Sequence, residues 1–219
     1  MTEQITVITP TTGNPNSLNR LMGSLALQGV PYMHLLLWDD ARHPDALDPY
    51  SYELENVTSI VLKGRFINGV AAGSALRAVG LMAANTKYVT FADDDVWFDE
   101  GHLNLLLDTI NGKEWAYTFR KIWAPSGECL GEDRFESVGD ETKLPYQLID
   151  NSSMMFTRVF GASAACLYRE TNDYNDDRLM YAFLKMYGGS YGKTDVATVN
   201  QVCPARLVEF FRQGCTPCK

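Results

Sequence analysis

The 219-residue chain contains no apolar run approaching the roughly 18 residues that cross a bilayer, so no integral membrane segment is expected. Its opening, MTEQITVITP, carries an acidic residue and passes directly into an apolar alternation. It lacks the basic segment, long apolar run and small-residue cleavage site of a signal peptide. Basic residues are in deficit: 19 Lys and Arg against 27 Asp and Glu give a net charge of −8, which repels phosphate backbones and argues against a nucleic-acid partner. Histidine is scarcer still, with His34, His43 and His102 and none beyond. The five cysteines (Cys129, Cys166, Cys203, Cys215, Cys218) are an odd set without the spacing of a disulfide framework, which suits a reducing compartment. Cys215 and Cys218 form a single CxxC with all histidines far upstream, a weak signal for zinc or redox chemistry. The chain therefore reads as a soluble, cytoplasmic protein.

What is present is the composition of an ordinary globule, with 46% apolar and 21% charged residues and neither an internal repeat nor a low-complexity segment. The length suits one α/β domain spanning residues 1–219. Through residue 110, short strand-like runs alternate with longer helical ones in the order that builds parallel βαβ units. Ile5 to Thr9, His34 to Trp38, Val57 to Leu62 and Tyr88 to Ala92 read as strands. Asn14, Pro15 and Ser17 supply helix-start chemistry ahead of Leu18, Leu21, Met22 and Leu25. Val70 to Ala84 and His102 to Ile110 read as further helices, the second with Leu103, Leu106, Leu107 and Ile110 on one side. Beyond 110 the pattern is less regular. Trp115, Tyr117 and Phe119 alternate as a strand, and Ala124 to Tyr146 looks like a lid or insertion. Asp176 to Tyr187 is helical, with Leu179, Phe183 and Met186 as its apolar face, and Pro204 to Arg212 forms a last short helix.

Three strand ends carry chemistry. In open parallel sheets the ligand crevice lies beyond the carboxyl ends of the strands, so Thr9, Trp38 and Ala92 deliver Pro10 to Gly13, Asp39 with Asp40, and Asp93 to Asp95 to one edge. Consecutive carboxylates repel one another and need water, hydrogen-bond donors or a cation. An acidic run is also what the start of a helix favours. Its place at the crevice mouth points instead to Mg²⁺ or Mn²⁺, which sits between one or two carboxylates and substrate phosphates.

These stretches resemble a known family, the GT-A glycosyltransferases, and within it the inverting family-2-like enzymes. YVTFADDDVWFDEGHL is similar to the family's strand, DxD-type motif and following helix. TVITPTTGNPNSLNRLMGSL resembles the first strand, Pro-containing nucleotide loop and first helix, and LLLWDDARHPD the strand ending in paired aspartates. NGVAAGSALRAVGLMAA resembles the helix before the DxD strand. IDNSSMMFTRVFGA and YNDDRLMYAFLKMYGG resemble the acceptor-side segment and the helix bearing the catalytic base. The order of the motifs across residues 4–190 carries the resemblance.

The resemblance implies a three-layer α/β/α, Rossmann-like fold with a mostly parallel sheet, divided into a nucleotide-binding half (1–110) and an acceptor-binding half (111–219). It implies a UDP-sugar donor, a glycan or other hydroxyl acceptor, and transfer with inversion. Pro10, Thr11 and Thr12 would form the nucleotide loop; Asp39 would bind the base and Asp94 the ribose. Asp95 would bind Mn²⁺ or Mg²⁺, with Asp93 a second candidate. Arg77 would meet the diphosphate, although a surface arginine explains it equally. Asp176 would be the general base, with Asp177 its alternative; an Asn-Asp-Asp run also caps a helix. The chain departs from the family where Thr12 and Gly13 stand at a position often held by an aromatic stacking on the base, and where no late metal-binding histidine follows His102. Trp97 either lines the sugar pocket or packs in the core.

Two other readings share this architecture. A sugar-phosphate nucleotidyltransferase wants a Gly-rich basic loop after the first strand, and TPTTGNPNSL has no basic residue until Arg20. A non-catalytic nucleotide-sugar or glycan-binding module differs only in turnover. A DxDxT phosphatase is excluded by Trp97 at the threonine position.

Overall fold

The computed structural model describes residues 4–39, 44–51, 54–63, 73–168 and 176–217. Asp40, the start of the expected helix at Val70 to Ala72, and Cys218 lie outside the described residues.

β1 (Ile5–Thr11) leads through α1 (Pro15–Ala26) to β2 (Tyr32–Asp39), then β3 (Val57–Leu62), α2 (Ser74–Ala83) and β4 (Tyr88–Phe91). Asn14 caps α1 as its chemistry suggests: its side-chain oxygen accepts from the backbone N–H of Asn16 at 3.1 Å, and Pro15 occupies the first turn, where no N–H is needed. β3, β2, β1 and β4 are parallel neighbours in that order. Their alternating side chains face two separate cores. Ile8, Leu35 and Leu37 join Leu76 and Leu81 of α2 on one side. Ile5, Val7, Leu36 and Trp38 join Leu18, Leu21 and Leu25 of α1 on the other. The result is the expected three-layer sandwich, and strands buried on both faces explain why their sequences read as continuous apolar runs.

The second half adds β5 (Val96–Phe98), α3 (His102–Ile110), β6 (Trp115–Trp123), β7 (Cys129–Asp133) and β8 (Met154–Thr157). After these come α4 (Arg158–Ala164), α5 (Asp176–Tyr187), β9 (Tyr191–Val202), α6 (Val208–Gly214) and β10 (Cys215–Thr216). Past β4 the sheet becomes mixed. β8 pairs antiparallel with both β4 and β6. β6 carries the parallel strand β9 along one edge and shares the other between β8, at Trp115–Tyr117, and β7, at Lys121–Trp123. β5, β7, β8 and β9 have no counterpart in the sequence reading, and β7 lies inside the stretch taken as a lid or insertion.

Two expectations are corrected. The buried face of α5 is Met180, Tyr181 and Leu184, while Leu179 and Met186 are 40% and 71% exposed. Both sets repeat at helical spacing, so periodicity fixes a helix without fixing its rotation. Cys129 is disulfide-bonded, whereas Cys166, Cys203 and Cys215 are free thiols, so the cysteine spacing gives no support for a reducing compartment. No helix among the described residues is long and apolar enough to cross a membrane.

The approach of α2 to β1 depends on Gly80, where an added Cβ would stand 2.4 Å from Ile8 Cγ2. Gly23 in α1 has open space around it. Gly80→Ala is therefore expected to lower stability by about 1–3 kcal/mol through overpacking. Gly23→Ala should raise it by about 0.4–1 kcal/mol through reduced chain entropy. Urea denaturation of both variants checks this, and equal effects would contradict the packing described.

Candidate functional site

Beyond β4 the chain turns sharply, with the Val96 N–H donating to the Asp93 carbonyl at 3.1 Å, so that Asp93, Asp94 and Asp95 occupy a tight corner. Each is held differently. Asp94 accepts from Thr11 Oγ1 at 2.6 Å, and that hydroxyl in turn accepts from the Gly13 N–H at 2.8 Å, so the corner is tied to the loop after β1. The Asp93 backbone N–H donates to Ser152 Oγ at 3.1 Å, and its carboxylate pairs with Arg77. Asp95 is held through its carbonyl, which accepts from Arg20 Nη2 at 3.1 Å.

Arg77 sits on α2 and is 5% exposed, which rules out the surface-arginine reading. Its other terminal nitrogen lies 3.7 Å from Asp176 at the start of α5, and Asp176 also accepts from Ser74 Oγ. Burial opposes the guanidinium charge, but Asp93 and its neighbours outweigh it and hold Arg77 above the ordinary arginine range. Gly73 precedes α2 with a φ of +92°, and an added Cβ there would meet Pro10 at 2.9 Å. Only glycine combines that conformation with the close approach that brings α2 to the loop after β1.

Asp177 accepts from Asn151 Nδ2 at 2.5 Å, and Asn151 Oδ1 accepts from the Tyr168 hydroxyl at 2.7 Å. Asn151 and Ser152 belong to the 3-10 turn Asn151–Ser153, capped by Asp150. Asp150 accepts from Arg120 Nη1 at 3.1 Å, and Arg120 also engages Asp133 at 2.9 Å, Glu136, and Gln201 at 2.8 Å. Arg120, Asn151 and Asp150 escaped the sequence reading. The IDNSS segment pointed toward Asp150 and Asn151, and nothing pointed toward Arg120, because their roles depend on β6 and β8 lying side by side.

Two cavities share Arg77, Asp93 and Asp95 in their walls. The smaller, about 240 Å³, is completed by Pro10, Thr12, Gly73 and Asp94. The larger, about 580 Å³, takes in Asp150, Asp176 and Asp177, with Arg206, Leu207 and Phe211 at the α6 side. Thr11 is buried behind the smaller cavity. Asp39 is fully buried at the end of β2, outside the walls of both. Trp97 also lies outside them, packed 5.6 Å from Trp123 with Arg20 over its ring at 4.0 Å, so it serves packing.

Burial, together with Asp93, Asp94 and Asp150, pushes the Asp95 carboxyl up to about 7. Asp95 is nonetheless exposed to the cavity, where water softens the desolvation, and the like charges are the more durable cause. Burial likewise raises Asp94 and, with Asp150 adding repulsion, raises Asp177 well above the usual carboxylate range. Among the described residues no group of three metal-ligating side chains occurs. A divalent cation of the Mg²⁺ or Mn²⁺ type needs only one or two carboxylates when phosphates and water complete its shell. Asp95 fits that description, since Asp93 is engaged by Arg77.

The profile of the family described as glycosyl transferase family 2 matches residues 6–170, about three quarters of the chain. The chain belongs to glycosyl transferase family 2. Among solved structures, S. aureus TarS residues 1–349 matches with a TM-score of 0.66 at 18% identity, over 91% of this chain and 60% of that one. The crystal structure of the same TarS fragment in complex with UDP matches with a TM-score of 0.66 at 17% identity, over 95% and 65%. Its complex with UDP-GlcNAc gives 0.65 at 17%, over 92% and 59%. At these identities the likeness is one of fold, and the chain spans about three fifths of the length of these structures. No match is found among curated proteins. The converging carboxylates of this family-2 chain form its candidate functional site.

Removing Arg77 leaves the half-buried Asp93 and the more deeply buried Asp176 without the cation they share. Arg77→Ala is expected to cost about 3–5 kcal/mol, the usual penalty for breaking a buried pair. Chemical denaturation of the variant beside wild type measures this. A loss below about 1 kcal/mol would show that the ion pair does not organise the site.

Proposed function

We propose that this family-2 glycosyltransferase moves a sugar from a UDP-sugar to an acceptor hydroxyl, with inversion and with the help of a divalent cation. The observation that carries the reading is the convergence of Asp93 and Asp95, from mid-chain, with Asp176 and Asp177, from the second half, on the walls of the larger cavity, which shares the first two with the smaller. The TarS complexes with UDP and UDP-GlcNAc support a uridine nucleotide as donor. In this reading the smaller cavity is assigned to the nucleotide and the larger, walled by residues of both halves, to the acceptor.

In this reading Pro10, Thr12 and Asp94 border the nucleotide, with Asp94 on the ribose and Asp39 assigned to the base. Arg77 supplies fixed positive charge beside the diphosphate. Asp95 would hold Mn²⁺ or Mg²⁺, with Asp93 beside it; the cation, when bound, neutralises the charge that develops on the departing diphosphate. Asp176 accepts the proton of the acceptor hydroxyl as its oxygen attacks the anomeric carbon. The bond from that carbon to the diphosphate oxygen breaks on the opposite face, so the configuration inverts. Ser74 and Arg77 orient the Asp176 carboxylate for this step. Asp177, carrying no cation of its own, is the alternative base.

The transferase is expected to bind UDP more tightly with Mn²⁺ than with EDTA, because carboxylates facing a diphosphate otherwise repel it. Calorimetric titration decides this, and equal affinities would remove the metal from the reading. Asp176→Asn should retain UDP affinity while slowing transfer from a UDP-sugar by about 10²–10⁴-fold. A panel of UDP-sugars and acceptors, with product configuration read by NMR, supplies the measurement. Full activity in the variant, or retained configuration, would contradict the assignment.

A further inference from the structure

Asp176 and Asp177 are adjacent in sequence yet sit in different surroundings. Asp176 faces the Arg77 guanidinium and the Ser74 hydroxyl. Among the described residues the one hydrogen-bond donor to Asp177 is the Asn151 amide, at 2.5 Å. Asn151 is 2% exposed and has no freedom of its own, because its carbonyl oxygen accepts from Tyr168 at 2.7 Å. Tyr168 is 3% exposed, packs edge-on against Phe91 at 5.4 Å, and its hydroxyl has no other hydrogen-bond partner among the described residues. Burial of a phenol in this manner strongly favours its protonated, donating form. An amide whose oxygen is already committed must present its N–H₂ to the carboxylate.

We propose that Tyr168 and Asn151 form a positioning relay for Asp177, fixing one carboxylate oxygen so that the group meets the substrate in one orientation. The relay starts beside the strand that leads into the aspartate corner, since Phe91 is the last residue of β4, and ends at the first turn of α5. It passes through the same 3-10 turn whose Ser152 accepts from the Asp93 N–H. A buried side chain with both ends satisfied between two site elements is the arrangement that holds a reacting group within fractions of an ångström. Asn151 and Tyr168 do not line either cavity, so they act through Asp177 and not on the substrate.

The inference rests on the transferase reading, but its first test does not need turnover. The charged groups acting on Asp177 are Asp150, Arg77, Asp93 and Arg120, and none of them changes in the variants. Loss of the amide donor removes a bond that favours the ionised carboxylate, so the pH at which Asp177 ionises should move upward in Asn151→Ala. The move should be smaller but in the same direction in Tyr168→Phe, which keeps the ring and frees the amide to rotate. Carboxyl ¹³C NMR titration of aspartate-labelled protein reads this, the Asp177 signal being assigned by its disappearance in Asp177→Asn.

An Asp177 titration that coincides in wild type and both variants would overturn the relay, whatever happens to melting temperature. If Asn151→Ala does not fold, Tyr168→Phe alone decides. With a UDP-sugar that wild type turns over, Asn151→Ala should lose about 10–100-fold in kcat with donor KM within twofold. Unchanged kcat would overturn the relay, and so would a loss confined to KM. Should wild type turn over no UDP-sugar, the transferase reading fails while the titration still judges the relay.

Discussion

The site depends on one buried cation. Arg77 pairs with Asp93 at the end of β4 and lies 3.7 Å from Asp176 at the start of α5, two carboxylates separated by most of the second half of the chain. In a dry setting these carboxylates would repel each other and force α5 away from the aspartate corner. A guanidinium between them offers several donors in a fixed plane, which lysine cannot do. Burying such a charge is unfavourable by itself, so the arrangement persists because its partners are fixed by packing: α2 on Ile8 through Gly80, and Gly73 on Pro10.

A second buried cation, Arg120, does comparable work on the other side of the larger cavity. Its bonds to Asp133 and Asp150 join β6, β7 and the turn before β8. β8 is the strand that joins the two halves of the sheet, pairing with β4 on one edge and β6 on the other. The turn just ahead of it therefore meets the aspartate corner through Ser152 and α5 through Asn151. The groups of the candidate site, drawn from distant parts of the sequence, are placed by backbone pairing first and by side-chain bonds second.

The parallel half was legible because its strands are short, apolar and bounded by turn and cap chemistry; β3, α3 and α5 coincide with their sequence bounds. The aspartate corner was legible too, since three carboxylates after a buried strand have few structural uses. β7 and β8 were not, because antiparallel pairing leaves no spacing rule in a single chain and Cys129 to Asp133 lies in a stretch rich in Gly and charge. The rotation of α5 was misread for want of any signal separating Leu179 and Met186 from Met180 and Leu184. Arg120 and Tyr168 gave no sequence signal at all, since a buried partner is visible only when the elements carrying both groups are in place.

The central claim is that the corner after β4 is where a cation and a donor diphosphate meet. A crystal structure with UDP and Mn²⁺, using anomalous scattering to locate the manganese, tests it most directly. The account predicts a manganese peak beside the Asp95 carboxylate, with the diphosphate completing its shell and Arg77 still paired to Asp93. Bound UDP with no manganese at Asp95, or manganese held elsewhere, would contradict it.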